Sequence, residues 1–139
     1  MFLGTGDHRL DAKGRVILPA RFREELGDSF YVTKGFEQCV QVMSVAEFDR
    51  LRAQIRQLPA DKALSLQYLL ISPAVLVSPN AQGRVSISQK LREEAGLCGE
   101  VTVVGMDNRI EIWDKAAFTA FMERQKQASL QEALELLRL

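Results

Sequence analysis

Two short stretches of the sequence carry a cation directly after a tight-turn pattern, and they are the residues best suited to bind a ligand. They read Asp11-Ala-Lys-Gly-Arg15 and Asn80-Ala-Gln-Gly-Arg84. Asp or Asn at the first position and Gly at the fourth are typical of a type I turn, because the short side chain accepts backbone hydrogen bonds and glycine tolerates positive φ. The pattern therefore predicts two turns, built on Asp11 and Gly14 and on Asn80 and Gly83.

The cations at these turns could hydrogen-bond to phosphate groups or to the edge of a guanine base. Lys13 and Arg15 are expected together at an exposed tip, and Gln82 replaces the lysine beside Arg84, so the second tip is less charged. The alternative interpretation is that they are ordinary surface cations, with Asp11 pairing Arg15. The repetition favours a function, because a solvated arginine has little physical reason to recur at the same turn position.

The repeat continues beyond the turns and predicts the elements that position them. Pro19 suits the first position of a short helix, and Gly27 suits the position just past its end. Ser88 could cap its counterpart, which is closed by Gly96. Strand-forming residues and apolar alternation predict strands over 3–10, 14–18, 30–34 and 39–43. The match to this first set predicts strands again over 74–78, 83–87, 100–104 and 109–113. Capping patterns at Ser44 and Asp114 predict a longer helix after each set, the first over about 45–58.

The segment between the two sets is apolar on nearly all sides and is expected to begin with Asp61 as a helix cap. Its apolar residues imply burial, either within the chain or against a neighbouring subunit; they are Leu64, Leu66, Tyr68, Leu69, Leu70 and Ile71. The C-terminal stripe formed by Leu130, Leu134 and Leu137 has two open interpretations: a helix packed on its own core, or a helix that binds a partner.

The duplicated order of elements predicts an α+β fold with pseudo-twofold symmetry. Four short strands make a weak core alone, so the halves are expected to pack together with strands exchanged or interleaved. The expected organisation is a first module with its helix over 1–58, a connecting helical segment over 59–73, a second module over 74–122 and a C-terminal amphipathic helix over 123–139.

Composition argues against several classes of protein. The formal net charge is zero, which disfavours bulk coating of nucleic acid but leaves room for local basic tips. Phosphate-binding loops, hydrolase motifs and metal-ligand spacings do not occur, so neither an enzyme nor a cofactor is expected. Cys39 and Cys98 are expected to be buried thiols, and His8 a surface residue. Without a signal-peptide pattern or a membrane-spanning run, the protein is expected in the cytosol, with no membrane partner.

Several blocks together resemble the MraZ family, which has the AbrB/MazE-like (SpoVT-AbrB) fold. They are the opening Met-Phe-Leu-Gly, the Leu10–Pro19 block, Gly35-Phe-Glu, the Asn80–Arg84 repeat, Val104-Gly and Glu111-Ile-Trp-Asp114. The resemblance implies two swapped-hairpin AbrB-like β modules that form a pseudodimer within one chain, with flanking helices. It also implies a homo-oligomeric ring and a transcriptional regulator of its own division and cell-wall operon, which recognises short direct repeats upstream of it.

The family's DxxxR motif maps onto Asp11 and Arg15 in the first half and onto Arg84 in the second. There Asn80 keeps the turn but leaves Arg84 without an orienting carboxylate, so an equal role for the two halves is in doubt.

The expected partner is double-stranded DNA near the nucleoid, with guanine read by Arg15 beside Lys13 and, from the other half, by Arg84 beside Gln82. Five further cations are expected to contact phosphates or to stay solvated: Arg9, Arg21, Arg23, Lys90 and Arg92. For Arg23 and Arg92 the alternative is a pair with a neighbouring glutamate. Two other functions remain open: a ring-shaped scaffold for a protein partner, and an antitoxin, which the short amphipathic tail makes less favoured.

Overall fold

A computed structural model of the chain describes residues 1–138, and its elements appear as two similar series. The first series is β1 Thr5–Arg9, β2 Arg15–Ile17, α1 Ala20–Leu26, β3 Phe30–Lys34, β4 Val40–Ser44 and α2 Val45–Arg56. Helix α3, Ala60–Leu66, and a π-helical turn, Gln67–Ile71, connect it to the second. The second series is β5 Val75–Val77, β6 Arg84–Ser86, α4 Gln89–Ala95, β7 Glu100–Gly105, β8 Ile110–Asp114, α5 Lys115–Gln127 and α6 Leu130–Glu135.

Side-chain caps begin three of these helices where the sequence predicts them. Ser44 Oγ accepts a hydrogen bond from the Glu47 N–H at 3.2 Å. Ser88 and Asp114 do the same at the starts of α4 and α5. Each cap satisfies one of the backbone donors that the first turn of a helix leaves free.

Two predicted helix starts are wrong by one or two residues. Pro19 is not the first helical residue: its backbone is extended, and its carbonyl accepts from the Phe22 N–H at 3.0 Å, so it precedes α1. Asp61 does not cap α3 but lies in its first turn, because Pro59 holds the capping position. A proline lacks an N–H and has its φ fixed near the helical value, so it fits just before a helix as well as inside its first turn.

The larger sheet has six strands in the order β1-β7-β8-β4-β3-β5, and all neighbours are antiparallel. Strand β1 from the first series pairs with β7 of the second, and β5 from the second pairs with β3 of the first. Each series therefore supplies an edge strand to the hairpin of the other. At the centre, β4 lies beside β8 with Gln41 directly opposite Glu111.

The smaller sheet has two strands, β2 and β6, and we call it the ribbon. Val16 and Val85 lie opposite each other in it and are 1% and 0% exposed. They join a core formed by one face of the larger sheet together with α1 and α4, which contribute Phe22 and Leu91 among others. The ribbon is thus fixed to the body of the molecule by its inward face.

The opposite face of the larger sheet is covered by α2 and α5. Tyr31 of β3 stacks on Phe48 of α2 with ring centroids 4.1 Å apart, and Trp113 of β8 packs on Phe121 of α5 at 4.6 Å. Because side chains alternate along a strand, these helices lie on the side of the sheet away from the ribbon.

The connecting segment is mostly exposed. Leu70 is 4% exposed and its carbonyl accepts from Thr33 Oγ1, but Leu64, Tyr68 and Leu69 are 52%, 69% and 52% exposed. Of the two interpretations of this segment, burial within the chain therefore holds fully for Leu70 and in part for Leu66 and Ile71.

The C-terminal stripe is exposed as well. Leu130, Leu134 and Leu137 are 46%, 47% and 55% exposed, so the interpretation of a helix packed on its own core is wrong for the described residues. Leu139, the end of the predicted C-terminal helix, lies outside the described residues.

The two cysteines differ in environment. Cys39 is buried as predicted, and its burial, with Glu111 nearby, raises the pKa of the thiol to about 12. Cys98 is exposed, so the prediction that it is buried is wrong. It lies between α4 and β7, where Leu97 takes the inward position and turns Cys98 outward.

His8 is half-buried on β1. Among residues 1–138, no cluster of His, Cys, Asp or Glu is arranged to hold a metal ion. Over the same range, every helix is too short or too polar to cross a membrane.

Candidate nucleic-acid interface

The first turn is built by the side chain and backbone of Asp11. Asp11 Oδ1 accepts from the N–H groups of Lys13 and Arg15, both at 2.9 Å. The Gly14 N–H donates to the Asp11 carbonyl at 3.0 Å, and Gly14 has φ of 74°, which side-chain-bearing residues resist. These bonds turn the chain tightly and direct Arg15 into β2.

The second turn repeats this geometry around Asn80. Asn80 Oδ1 accepts from the N–H groups of Gln82 and Arg84 at 3.0 and 2.9 Å, and the Gly83 N–H donates to the Asn80 carbonyl at 2.9 Å. An amide oxygen therefore replaces the carboxylate oxygen as the acceptor from the two backbone N–H groups of Gln82 and Arg84, as expected from the sequence.

The two arginines that leave these turns have different partners. Arg15 Nε donates to Asp11 Oδ2 at 2.8 Å, and both side chains are between one quarter and one third exposed. The Arg15 backbone N–H, followed by its guanidinium, lowers the pKa of Asp11. For the Arg84 guanidinium no hydrogen bond or ion pair is present among residues 1–138, because Asn80 has no second carboxylate oxygen to offer.

The ribbon brings both arginines onto one surface. Arg15 lies opposite Ser86, and Ile17 lies opposite Arg84. Opposed residues of an antiparallel pair point to the same side, so these four side chains form the outer face of the ribbon. Arg15 and Arg84 are diagonal neighbours on it, and such positions are roughly 7–8 Å apart.

Sequence reasoning missed the pairing of β2 with β6, and with it Ile17 and Ser86. Ile17 is 43% exposed, since strand alternation directs the neighbour of the buried Val16 outward. The signal was available in part, because the alternation that puts Val16 inside puts Ile17 on the side of Arg15. The partner strand was not predictable from alternation, since it comes from the other half.

Arg23 and Arg92 do not pair with the neighbouring glutamates, and that prediction is wrong. Arg23 Nε donates to the Leu18 carbonyl at 3.1 Å, and Arg92 Nε donates to the Ile87 carbonyl at 3.0 Å. The structure does not place them as solvated cations either, because each packs against a turn of the opposite half.

The packing of these arginines explains why the turns end in glycine. A Cβ on Gly14 would lie 2.5 Å from the Arg92 guanidinium, and one on Gly83 would lie 2.6 Å from that of Arg23. Arg92 of α4 therefore packs under the first tip and Arg23 of α1 under the second, on the side that faces the core, so each tip is supported by a helix of the other half.

The other predicted cations lie apart from the outer face of the ribbon. Arg9 faces Glu100 at 3.6 Å on the exposed end of β1. Arg21 donates to the Leu3 carbonyl at 3.1 Å and lies over the Phe22 ring. Lys90 lines a shallow cavity with Tyr68 and Leu69. Lys13 and Gln82 are exposed at the two tips and remain beside the ribbon.

What the arrangement can do follows from its shape and charge. A narrow two-stranded ribbon with partly exposed arginines on one face can enter the major groove of B-form DNA, which admits a structure of that width. Among the described residues, no cluster at the interface is arranged to hold a metal ion.

Comparison with known proteins agrees with the duplicated geometry. The family described as "MraZ protein, putative antitoxin-like" matches twice, over residues 1–67 and 70–138. A curated relative from Micrococcus luteus is 42% identical over 92% of this chain and 91% of its own length. Relatives from Paenarthrobacter aurescens and from an Arthrobacter species are each 43% identical over 95% of this chain, and over 93% and 94% of their own lengths.

All three relatives carry the name transcriptional regulator MraZ. The chain is accordingly a transcription regulator and not an enzyme. Two matches that together span nearly all the residues, and three relatives above 40% identity, lead to one conclusion: the chain belongs to the MraZ family.

Proposed function

We propose that the chain binds double-stranded DNA in a sequence-specific manner and regulates transcription at short direct repeats upstream of its own division and cell-wall operon. The observation that carries the proposal is the position of Arg15 and Arg84, which lie on one exposed face of the ribbon formed by β2 and β6. The protein would act in the cytoplasm, in association with the nucleoid.

The proposal includes a swapped-hairpin pseudodimer, which the pairing of the strands supports. Exchange of β1 and β5 between the two series, and the pairing of β2 with β6, are what such a pseudodimer requires. Because the ribbon takes one strand from each half, the two tips have a fixed spacing. Because the distance between the two tips is already fixed in the free protein, less conformational entropy is lost when both tips bind neighbouring base pairs.

In the proposed mechanism the ribbon enters the major groove with its outer face toward the base edges. Arg15 donates bidentate hydrogen bonds to O6 and N7 of a guanine, with its guanidinium oriented by Asp11. Arg84 makes the matching contact from the other half, and Lys13 and Gln82 reach the adjacent bases or phosphates. Arg23 and Arg92 act below the tips as supports.

The first prediction concerns the two arginines. Arg15→Ala should weaken binding to tandem repeats by about 5- to 150-fold, since a bidentate base contact contributes roughly 1–3 kcal/mol. Arg84→Ala should weaken it less, because Arg84 lacks an orienting carboxylate. Fluorescence anisotropy on DNA from the region upstream of the gene, at two salt concentrations, measures both effects.

The controls separate base reading from general charge. Arg56→Ala removes an exposed cation at the end of α2, on the side of the sheet away from the ribbon, and should leave affinity unchanged. A scrambled duplex reports non-specific binding, which depends steeply on salt. Equal affinity of the wild type for repeats and scrambled DNA would disprove sequence-specific binding.

Assembly into a homo-oligomeric ring is part of the proposal. Two apolar surfaces support it: the connecting surface formed by Leu64, Tyr68 and Leu69, and the tail surface formed by Leu130, Leu134 and Leu137. Exposed apolar patches of this kind are typical of interaction sites. Several ribbons of one ring could engage several repeats, which can raise avidity by two to four decades, on the order of 10²–10⁴.

The second prediction tests this assembly. Tyr68→Asp and Leu134→Asp should each yield smaller species in size-exclusion chromatography with light scattering, because each places a charge in an apolar contact. Each variant should then bind tandem repeats no more tightly than a single repeat. Met106→Asp, a matched change at a residue 40% exposed in the β7–β8 turn, should keep the assembly intact. Wild-type assembly in both variants would contradict these surfaces as the ring interface.

The second candidate function is a ring-shaped scaffold for a protein partner. The same exposed apolar surfaces support it, because such a surface can bind a different protein as well as a second copy of this chain. A scaffold would not need the arginine tips, so the double variant Arg15→Ala/Arg84→Ala would keep its function. An antitoxin role is less favoured, because the described tail is a short amphipathic helix.

A further inference from the structure

The two tips have the same backbone but different side chains on the surface they present. The equivalent positions are Asp11 and Asn80, Lys13 and Gln82, Arg15 and Arg84, and Ile17 and Ser86. The turn bonds differ in length by no more than 0.1 Å between the halves, as in Gly14 N to Asp11 O at 3.0 Å and Gly83 N to Asn80 O at 2.9 Å. The ribbon is therefore symmetric in shape and asymmetric in chemistry.

The asymmetry concerns the groups that could touch bases. The first tip carries two cations, of which Arg15 is held by Asp11 at 2.8 Å. The second tip carries one cation, Arg84, which has no protein partner within the described residues, and the neutral Gln82. Lysine and arginine suit guanine, whereas glutamine suits adenine.

The next outward-facing residue of each strand, Ile17 or Ser86, adds to the difference. Ile17 can contact the methyl group of thymine, whereas Ser86 can hydrogen-bond to any base. Both side chains lie on the outer face, each opposite an arginine of the other strand. The two ends of the ribbon thus present different chemistry along the whole surface.

The symmetry of a binding module is mirrored in the DNA that it fits. A ribbon with equal ends would bind a site equally well in two orientations related by its twofold axis, and would therefore suit a palindrome. A ribbon with unequal ends has one better orientation on any site that is not a palindrome.

We infer that each chain binds its DNA site in a single orientation, with the Lys13–Arg15 tip and the Gln82–Arg84 tip over chemically different base pairs. The inference rests on the proposed function and deepens it: unequal tips make this pseudo-twofold module a reader of direct repeats rather than inverted ones. The specificity-determining set includes Gln82, Ile17 and Ser86 in addition to the two arginines.

Directed cleavage of DNA tests the orientation. Ala12 and Ala81 are equivalent exposed residues at the two tips, and each is replaced in turn by Cys in a Cys98→Ser background. Each new thiol is labelled with an iron chelate that cleaves nearby DNA. Cys39 stays unlabelled, because it is buried and its raised pKa keeps it a thiol. The Cys98→Ser protein taken through the same labelling is the control and should produce no cleavage.

On DNA with tandem direct repeats, the probe at 12 should cut on one side of each repeat and the probe at 81 on the other. Superimposable cuts from the two probes would mean that the chain binds in both orientations, and would overturn the inference while leaving the proposed function intact. Absence of any preference for repeats over scrambled DNA would overturn both.

A symmetrised variant shows whether the tips set the orientation. Asn80→Asp/Gln82→Lys/Ser86→Ile gives the second tip the side chains of the first, and all three positions are exposed, so the fold should tolerate the changes. The two cleavage patterns should then coincide, and the affinity ratio of direct over inverted repeats should fall toward one. Retention of wild-type polarity in a variant that still binds would overturn the assignment to these residues.

Discussion

At the scale of single residues, the first position of the turn differs between the halves by the replacement of one carboxylate oxygen with an amide nitrogen. Asp11 and Asn80 accept the same two backbone hydrogen bonds, so both hold the turn. Only Asp11 has a second oxygen that accepts from an arginine side chain. One oxygen of Asp11 therefore holds the turn and the other orients the arginine, and the Asn80 side chain keeps only the first of these two roles.

The third prediction follows from the lowered pKa of Asp11. A lowered pKa means that Asp11 binds its proton less tightly in the folded state than in the unfolded chain. The contribution of Asp11 to stability is therefore fully present above its pKa in the unfolded chain, which is about 4. This contribution is lost as the pH falls through the lower pKa of the folded state. The melting temperature of Asp11→Asn, measured by circular dichroism, should therefore fall less between pH 5 and about pH 3 than that of the wild type.

The control for this experiment is Asp28→Asn, at an exposed residue for which no ion pair is present among residues 1–138. Its acid dependence should follow that of the wild type. Parallel pH profiles for Asp11→Asn and the wild type would show that the Asp11 contacts do not contribute.

At the scale of elements, the order of strands and helices was predictable because the repeat states it twice. The register was less so. Ser44 lies opposite Phe30, but its equivalent Asp114 lies opposite Val101, so the predicted match of 30–34 with 100–104 is wrong by one residue. The loop before β7 is longer than the loop before β3, whereas the turn after β7 is shorter than the turn after β3. Because the two differences in length partly cancel, the spacing between the repeats along the sequence does not reveal them.

The candidate site was predictable as two turns but not as one surface. The alternation at Arg15–Ile17 fixes which face is outward, whereas the pairing of Val16 with Val85 depends on contacts between the halves. Likewise, the hydrogen bonds of Arg23 and Arg92 to nearby carbonyls, and their packing on the opposite turn, have no local sequence signal.

The fourth prediction tests this support of the tips. Gly14→Ala should lower the free energy of unfolding by about 1–2 kcal/mol for the left-handed backbone, and by about 1 kcal/mol more because the new Cβ displaces the Arg92 guanidinium from its carbonyl partner. Urea unfolding measures the loss.

The matched control is Gly96→Ala. Gly96 also has positive φ, at 68°, but a Cβ there would meet nothing within 4 Å. It should show the backbone cost alone. If both variants lose the same free energy, the packing of Arg92 on the turn contributes nothing to stability.

At the scale of the whole molecule, one pseudo-twofold axis relates the two series. It passes through the Val16–Val85 pair in the ribbon and through the Gln41–Glu111 pair in the larger sheet. Two copies of the second half would bury two carboxylates against each other at the Gln41–Glu111 position, which is costly. The chain has instead Gln41, whose amide donates to the Lys34 carbonyl at 2.7 Å, opposite Glu111, which accepts from Trp113 Nε1 at 3.0 Å.

The fifth prediction is that neither half folds alone. Residues 1–72 would lack the partner of β1, and residues 73–139 would lack the partner of β5. Each fragment should show the circular dichroism of an unfolded chain, since a few short strands cannot bury a sufficient core. The two fragments, co-expressed, should purify together and unfold cooperatively. A folded single fragment would contradict the exchange of strands.

The pairing of β1 with β7 also has a consequence during synthesis. Thr5 pairs with Val104, so the hydrogen bonds between β1 and β7 cannot form until Val104 has been synthesised. At roughly 5–20 residues per second, a ribosome needs on the order of ten seconds to extend the chain that far. The first strand therefore leaves the ribosome long before its partner exists, and the ribbon cannot form until β6, Arg84–Ser86, has been synthesised. A truncated product of this gene would contain the first arginine tip without the surface that presents it.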